Sequence, residues 1–244
     1  MNHDKSPFRY APWLAFDLIK LQLALFAIVS IALPLVILRL QKNMGTAPEA
    51  ASILSATFTA SLTIAVLMAI GGAIGGDLHG GFYRAWFSKP IAPSWYYLQR
   101  WLLAGIAVLL APLMLGGMLA LVLRHGSGLS VGLMVTIALG YLLIGSACLL
   151  ISNFTSKDWL LVFLISFLQQ RLATVVEQSA RLGFDLPGWL VLVKKILPPF
   201  HLINPLKPML HGLELVHVLA YGVAMLVAAL AIVQLRPLGS GGRA

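Results

Sequence analysis

The sequence predicts an all-α integral membrane protein with six transmembrane helices, an N-terminal interfacial helix and a broken, re-entrant hairpin before the last span. Three observations carry this expectation. Of 244 residues, 59% are hydrophobic and only 10% charged, with a mean hydropathy of +0.91; soluble domains are about half apolar and about a quarter charged. The apolar residues come in runs close to the roughly 20 residues that cross a bilayer. Short polar stretches, most of them carrying basic residues, separate these runs. Residues 1–244 are therefore expected to form a single transmembrane domain.

The N-terminal stretch Pro7 to Lys20 interleaves Phe8, Trp13, Phe16 and Ile19 with Arg9, Asp17 and Lys20. Such a mixture suits the headgroup layer, where rings sit among polar groups. The first span is expected at about 21–40. Its apolar run, Leu21 to Leu38, is too long for a signal-peptide core, and no convincing small-residue cleavage site follows. A polar loop, Gln41 to Glu49, leads to a second span at about 50–76, which ends in Gly71, Gly72, Gly75 and Gly76. These glycines form two overlapping GxxxG spacings, which let helices approach closely.

A structured interfacial loop is expected over 77–100, with Asp77, His79, Arg84, Lys89 and Arg100 beside Pro90, Pro93 and several aromatic residues. Spans at about 101–123 and 129–151 follow, parted by Arg124, His125 and a Gly-Ser turn. A fifth span is expected at about 159–176 and a sixth at 212–235, with a broken extracytoplasmic segment over 177–211 between them. The breaking begins at Gln169, Gln170 and Arg171 and continues through Pro187, Gly188, Pro198, Pro199, Pro205 and Pro208. Non-helical backbone at membrane depth needs cover from protein or water. In this segment Leu172, Val175, Val176 and Leu182 share a helical face that is expected to be buried as a lid over the outer end of a pathway. Glu177 and Arg181 stand at i, i+4 and can pair.

The formal charge is +9, but the basic residues sit at the ends of apolar runs, where they meet lipid headgroups and bias topology. Nucleic acid is not expected as a partner. Six spans put both termini on one side. With the termini inside, Lys5, Arg9, Lys20, Arg84, Lys89, Arg100, Lys157, Arg236 and Arg243 lie inside, nine against eight outside. Five of the outer eight belong to the broken segment (Arg171, Arg181, Lys194, Lys195 and Lys207), and setting it aside leaves nine against three. That asymmetry favours cytoplasmic termini. Cys148 is the only cysteine, so no intrachain disulfide is possible.

Chemistry-bearing motifs are scarce. The chain has no GxxxxGK[ST], no GxGxxG and no HExxH. Its histidines, His3, His79, His125, His201, His211 and His217, have no i, i+4 pairing and no cysteine partners, so no metal site is expected. Ser146 in the fourth span and His217 in the sixth match the placement found in rhomboid proteases. However, Ile144 and Ala147 occupy the positions where that signature has glycine, and Ser146 reads as a packing residue. Acidic residues are nearly absent from the span centres; Glu214 comes closest, at a span end. Ion-coupled transporters usually carry intramembrane charge or inverted repeats, and neither is visible.

The segment GDLHGGFYRAWFSKPIAPSWYYLQRW, from Gly76 to Trp101, resembles the first cytoplasmic loop of the type-2 ABC transporter permease family. Asp77, Gly81, Arg84, Pro90 and Arg100 occupy the positions that carry the likeness; His79 and Gly80 depart from it. The resemblance implies that this loop is a coupling helix docking on a separate ATP-binding cassette ATPase subunit, through Asp77, Gly81, Arg84, Lys89 and Pro90. It also implies a second permease subunit, as a homodimer or a heterodimer, in the inner (plasma) membrane. ATP and Mg would be held by the partner ATPase, and no cofactor by this chain. The expected function is export of a hydrophobic or amphipathic substrate. The alternative is a six-span secondary transporter or a non-catalytic membrane protein.

Overall fold

The computed structural model describes residues 36, 39, 50–80, 92–123, 128–184, 187–205 and 212–236. Among these the protein is all-helical. Seven α-helices run in the order α1 Ala50–Ile70, α2 Ala73–His79, α3 Pro93–Leu123, α4 Val131–Ser152, α5 Asp158–Leu182, α6 Gly188–Ile196 and α7 Gly212–Leu235, with a short 3-10 turn at Phe200–Leu202. Five stretches are long and apolar enough to cross a bilayer: Ser61–His79, Pro93–Leu121, Val131–Ser152, Asp158–Leu182 and Gly212–Leu235. The chain is therefore a membrane-embedded protein. The interfacial helix expected over Pro7 to Lys20 lies outside the described residues, as does the first span at 21–40 except for helical Val36 and Arg39.

Helix α4 is the centre. It packs against α1, α2, α3, α5 and α7, and its buried residues, from Leu133 to Ser152, point in every direction around its axis. Its first turn is capped by Ser130, whose hydroxyl accepts the Leu133 N–H at 3.1 Å. The outer helices bury one stripe and turn the other outward. On α5 the inward residues are Asp158, Val162, Ser166, Gln169, Ala173 and Ser179, while Trp159, Phe163, Leu164, Phe167 and Leu168 face out. This is inside-out relative to a helix of a soluble protein. Lipid tails are as apolar as a leucine side chain, so small and polar residues gain more from helix contact than large apolar ones do.

That reversal corrects the expected lid. Leu172 and Val176 are only half-buried, and Val175 and Leu182 are exposed, so the burial expected of this face is not found among the described residues. The helix also runs unbroken through Gln169–Arg171 to Leu182, six residues past the expected end of the fifth span. Polar side chains alone do not stop a helix; Gly183, at φ 74°, does. The Glu177–Arg181 pair does not form: among the described residues the single ion pair is Arg100–Asp77.

Helix boundaries differ at the 77–100 loop as well. Asp77 to His79 remain helical, and α3 begins at Pro93, eight residues before the apolar run. Proline suits the first turn, where its missing N–H has no acceptor to lose. The connection shrinks to residues 80–92. Within α3, Pro112 has no N–H for the Val108 carbonyl, a loss that membrane helices tolerate when neighbours pack around it.

Candidate functional site

The expected second span is not one helix. Gly72 sits at φ 70° and ψ 9°, a left-handed conformation that strains any residue with a Cβ, and it separates α1 from α2. Such a break leaves backbone N–H groups without helical acceptors in an apolar setting. Two side chains answer that need. The Asp158 carboxylate accepts the Gly72 N–H at 2.9 and 2.8 Å and the Trp159 N–H at 2.8 Å. The Ser152 hydroxyl accepts the Ile74 and Gly75 N–H groups at 3.1 and 2.9 Å.

Both side chains are fully buried. Asp158 also receives the Cys148 thiol at 3.5 Å. The α4–α5 turn thus carries a cap for a helix belonging to another part of the chain. Gly75 lets it come close: a Cβ there would stand 2.5 Å from the Thr155 carbonyl oxygen and 2.8 Å from the Ser156 Cα. Of the expected GxxxG positions, this is the one pressed against foreign backbone.

One turn further along α2 stands Asp77. Its carboxylate accepts from the Tyr97 hydroxyl at 3.1 Å and pairs with the Arg100 guanidinium at 3.5 Å. Arg100 also donates to the Ala73 carbonyl at 3.2 Å. Tyr97 is completely buried. The two ends of the 80–92 connection are consequently tied to each other, α2 to α3. Of the site residues expected for partner coupling, Asp77 is placed here; Gly81, Arg84, Lys89 and Pro90 lie outside the described residues.

The same end of the bundle gathers further polar ties. Asn153 donates to the Leu149 and Ala229 carbonyls at 3.2 and 3.3 Å, and Arg236 donates to the Asn153 carbonyl at 2.7 Å. Ser94 donates to Gln234 at 2.8 Å. Together these join α2, α3, the α4–α5 turn and the end of α7. Asp158, which lies just before the expected fifth span at 159–176, is a residue that the sequence reading did not single out. The available signal was its partner pattern: an acid beginning one helix, with a double glycine ending another.

At mid-height a second polar contact appears. Gln169, the twelfth residue of α5 and fully buried, meets His201 of the 3-10 turn. The Gln169 side-chain carbonyl accepts the His201 backbone N–H at 2.8 Å, and its amide nitrogen lies against the imidazole Nδ1. Burial and then the Lys194 charge hold the His201 imidazole below histidine's ordinary range, with His217 adding to this and Glu177 and Glu214 opposing it. The turn reaches inward to α4 as well, since a Cβ on Gly140 would stand 2.8 Å from Ile203.

Ser146 is buried, and its hydroxyl has no hydrogen-bond partner, while His217 stacks on Tyr221 with ring centroids 5.0 Å apart. No serine–histidine hydrogen bond joins them. The chain matches no known family model, no curated protein and no solved structure.

Proposed function

We propose that this chain is the membrane-spanning permease subunit of an ATP-binding cassette transporter, exporting a hydrophobic or amphipathic substrate. It works with a second permease subunit and is powered by a separate ATPase that docks on the 80–92 connection. The single observation that carries the reading is the tied base of that connection. Asp77, Tyr97 and Arg100 bind α2 to α3, and Asp158 and Ser152 bind α2 to the α4–α5 turn. A partner pushing on the connection would therefore move several helices together rather than bend one loop, which is what rigid-body coupling needs. The sequence likeness of residues 76–101 supports the same assignment.

In this reading the six spans include residues 21–40, both termini are cytoplasmic, and the membrane is the inner (plasma) membrane. The chain between α5 and α7 is the re-entrant hairpin of this reading. Its descent is supported by the position of its contacts: Gly140 and Tyr221 each lie nine residues, about 14 Å, from the first residue of their helices, and Gln169 lies thirteen residues, about 20 Å, from the last residue of α5. Tyr221 donates to the Ile196 carbonyl at 3.1 Å.

Arg84 is the residue to test. Flanked by Tyr83 and Trp86, its guanidinium suits a carboxylate or carbonyl on the ATPase. Arg84→Ala and Gly81→Pro are expected to leave membrane insertion intact while weakening copurification of the ATPase by about five- to 150-fold, the size of a typical interface anchor. Full transport by both variants would remove the reading. One observation favours the secondary transporter, namely the fully buried Asp158 carboxylate. Transport by this chain alone in liposomes without ATP would establish that alternative.

A further inference from the structure

The contact between Gln169 and His201 has only one self-consistent arrangement of hydrogens. The His201 backbone N–H can donate but not accept, so it must face the carbonyl end of the Gln169 amide. That orientation aims the amide NH2 at the imidazole Nδ1. Nδ1 must then be an acceptor, which requires a neutral ring with its proton on Nε2. A protonated ring carries N–H on both nitrogens and would set a donor against a donor. Flipping the amide does not help, because its NH2 would then face the backbone N–H. Gln169 is fully buried in α5, so its amide cannot turn into water, and relief falls to the half-buried His201 side of the contact.

We infer that Gln169 and His201 form a proton-sensitive clasp, holding the segment Pro198–Pro205 against α5 and α4 while His201 is neutral and releasing it when His201 is protonated. The neighbours set its range. Lys194 on α6 and His217 on α7 disfavour the imidazolium, and Glu177 on α5 and Glu214 on α7 favour it. Burial is the largest influence and also disfavours charge. The clasped state thus binds fewer protons than the released one, and acidification favours release. With one proton taken up, the clasped-to-released ratio falls by up to tenfold per pH unit once the pH is below the range of a free histidine, near ~6.5.

The segment is well placed to matter. It packs Phe200 into the core and Ile203 against Gly140 at mid-height of the central helix. It is followed by α7 and preceded by α6, which buries no residue. Releasing it would uncover Gln169 on the inward stripe of α5. This inference goes beyond the permease reading and does not depend on it, since it rests on hydrogen-bond complementarity alone.

Spin labels on Gln170→Cys and Leu202→Cys, in a Cys148→Ala background of the full chain in phosphatidylcholine–phosphatidylglycerol nanodiscs, test it by distance measurement at about pH 8 and about pH 5, either side of the histidine range. A single short distance is expected at the higher pH, joined by a longer population at the lower. His201→Asn keeps an acceptor that does not titrate, and Gln169→Glu can accept both the His201 backbone N–H and the Nδ1–H of a protonated ring. Each is expected to hold the short distance at both pH values, although Glu177, Glu214 and His217 remain. An unchanged distribution in the parent, or an acid response that persists in His201→Asn, overturns the clasp. Should Gln169→Glu fail to fold, the His201→Asn comparison decides alone.

Discussion

The end of the bundle that bears the 80–92 connection and the middle, where the 3-10 turn docks, answer the same physical problem in different ways. Both bring non-helical backbone into an apolar surrounding, where an unsatisfied N–H is expensive. At the connection end the solution is charged and multiple. Asp158 takes the Gly72 and Trp159 N–H groups, Ser152 takes two more, and Asp77 and Arg100 hold α2 to α3. At the turn the solution is a neutral pair, Gln169 with His201. Hydrogen bonds to charged groups are worth roughly twice neutral ones. The first region is tied across several helices by charged groups, and the second is held through one neutral pair.

The comparison is tested most severely by removing the acceptor at each place. Asp158→Ala strands the Gly72 and Trp159 N–H groups and is expected to cost about 3 kcal/mol or more, whereas Gln169→Ala strands one backbone N–H and is expected to cost about 1–2 kcal/mol. Thermal unfolding of the purified chain in detergent reads both. Equal losses would mean that the carboxylate carries no more of the structure than the amide.

A matched pair of glycines sharpens the contrast at intermediate size. In Gly75→Ala the new methyl would meet the Thr155 and Ser156 backbone, and overpacking of this kind costs about 1–3 kcal/mol. In Gly188→Ala, at the start of α6, nothing lies within 4 Å, so the change should be neutral or stabilise by up to about 1 kcal/mol through helix propensity. The same unfolding assay distinguishes them, and a tolerant Gly75 would show that α2 does not press on the α4–α5 turn.

The smallest expected difference comes from two tyrosine hydroxyls. Tyr97 is buried and donates to the Asp77 carboxylate, while Tyr221 donates to a backbone carbonyl of α6. Tyr97→Phe should lose about 1.5–2 kcal/mol and Tyr221→Phe about 0.5–1 kcal/mol, following the charged and neutral values for such bonds. If the order reversed, the ties at α2 would be weaker than those at α6.

Much of the fold was legible because lipid is a demanding solvent. A run such as Val131 to Ser152 must be a helix if it is to satisfy its own backbone, and its length and composition say so without knowledge of any neighbour. The starts at Ser130 and Pro93 were not read from the sequence, which placed the spans at 129 and 101, although a hydroxyl cap and a first-turn proline are local chemistry. The GxxxG glycines announced close packing, which Gly75 provides, and Pro187 with Gly188 announced a break. Asp77 and Arg100 were singled out together in the 76–101 segment, and they do meet.

What local pattern did not carry was direction. The stripe Leu172, Val175, Val176 and Leu182 is apolar and helical in register, and nothing in it states whether protein or lipid will face it; in the folded chain the inward stripe of α5 is Ser166, Gln169, Ala173 and Ser179. Nor could spacing reveal that Asp158 would reach back 86 residues to Gly72, or that His201 would meet Gln169 across 32. The amino-acid sequence by itself determined that the chain enters a membrane, and roughly where its helices lie, because burial in lipid is decided residue by residue within one helix. The tertiary structure decided which polar groups meet, because a buried donor takes the acceptor nearest in space, however distant along the chain.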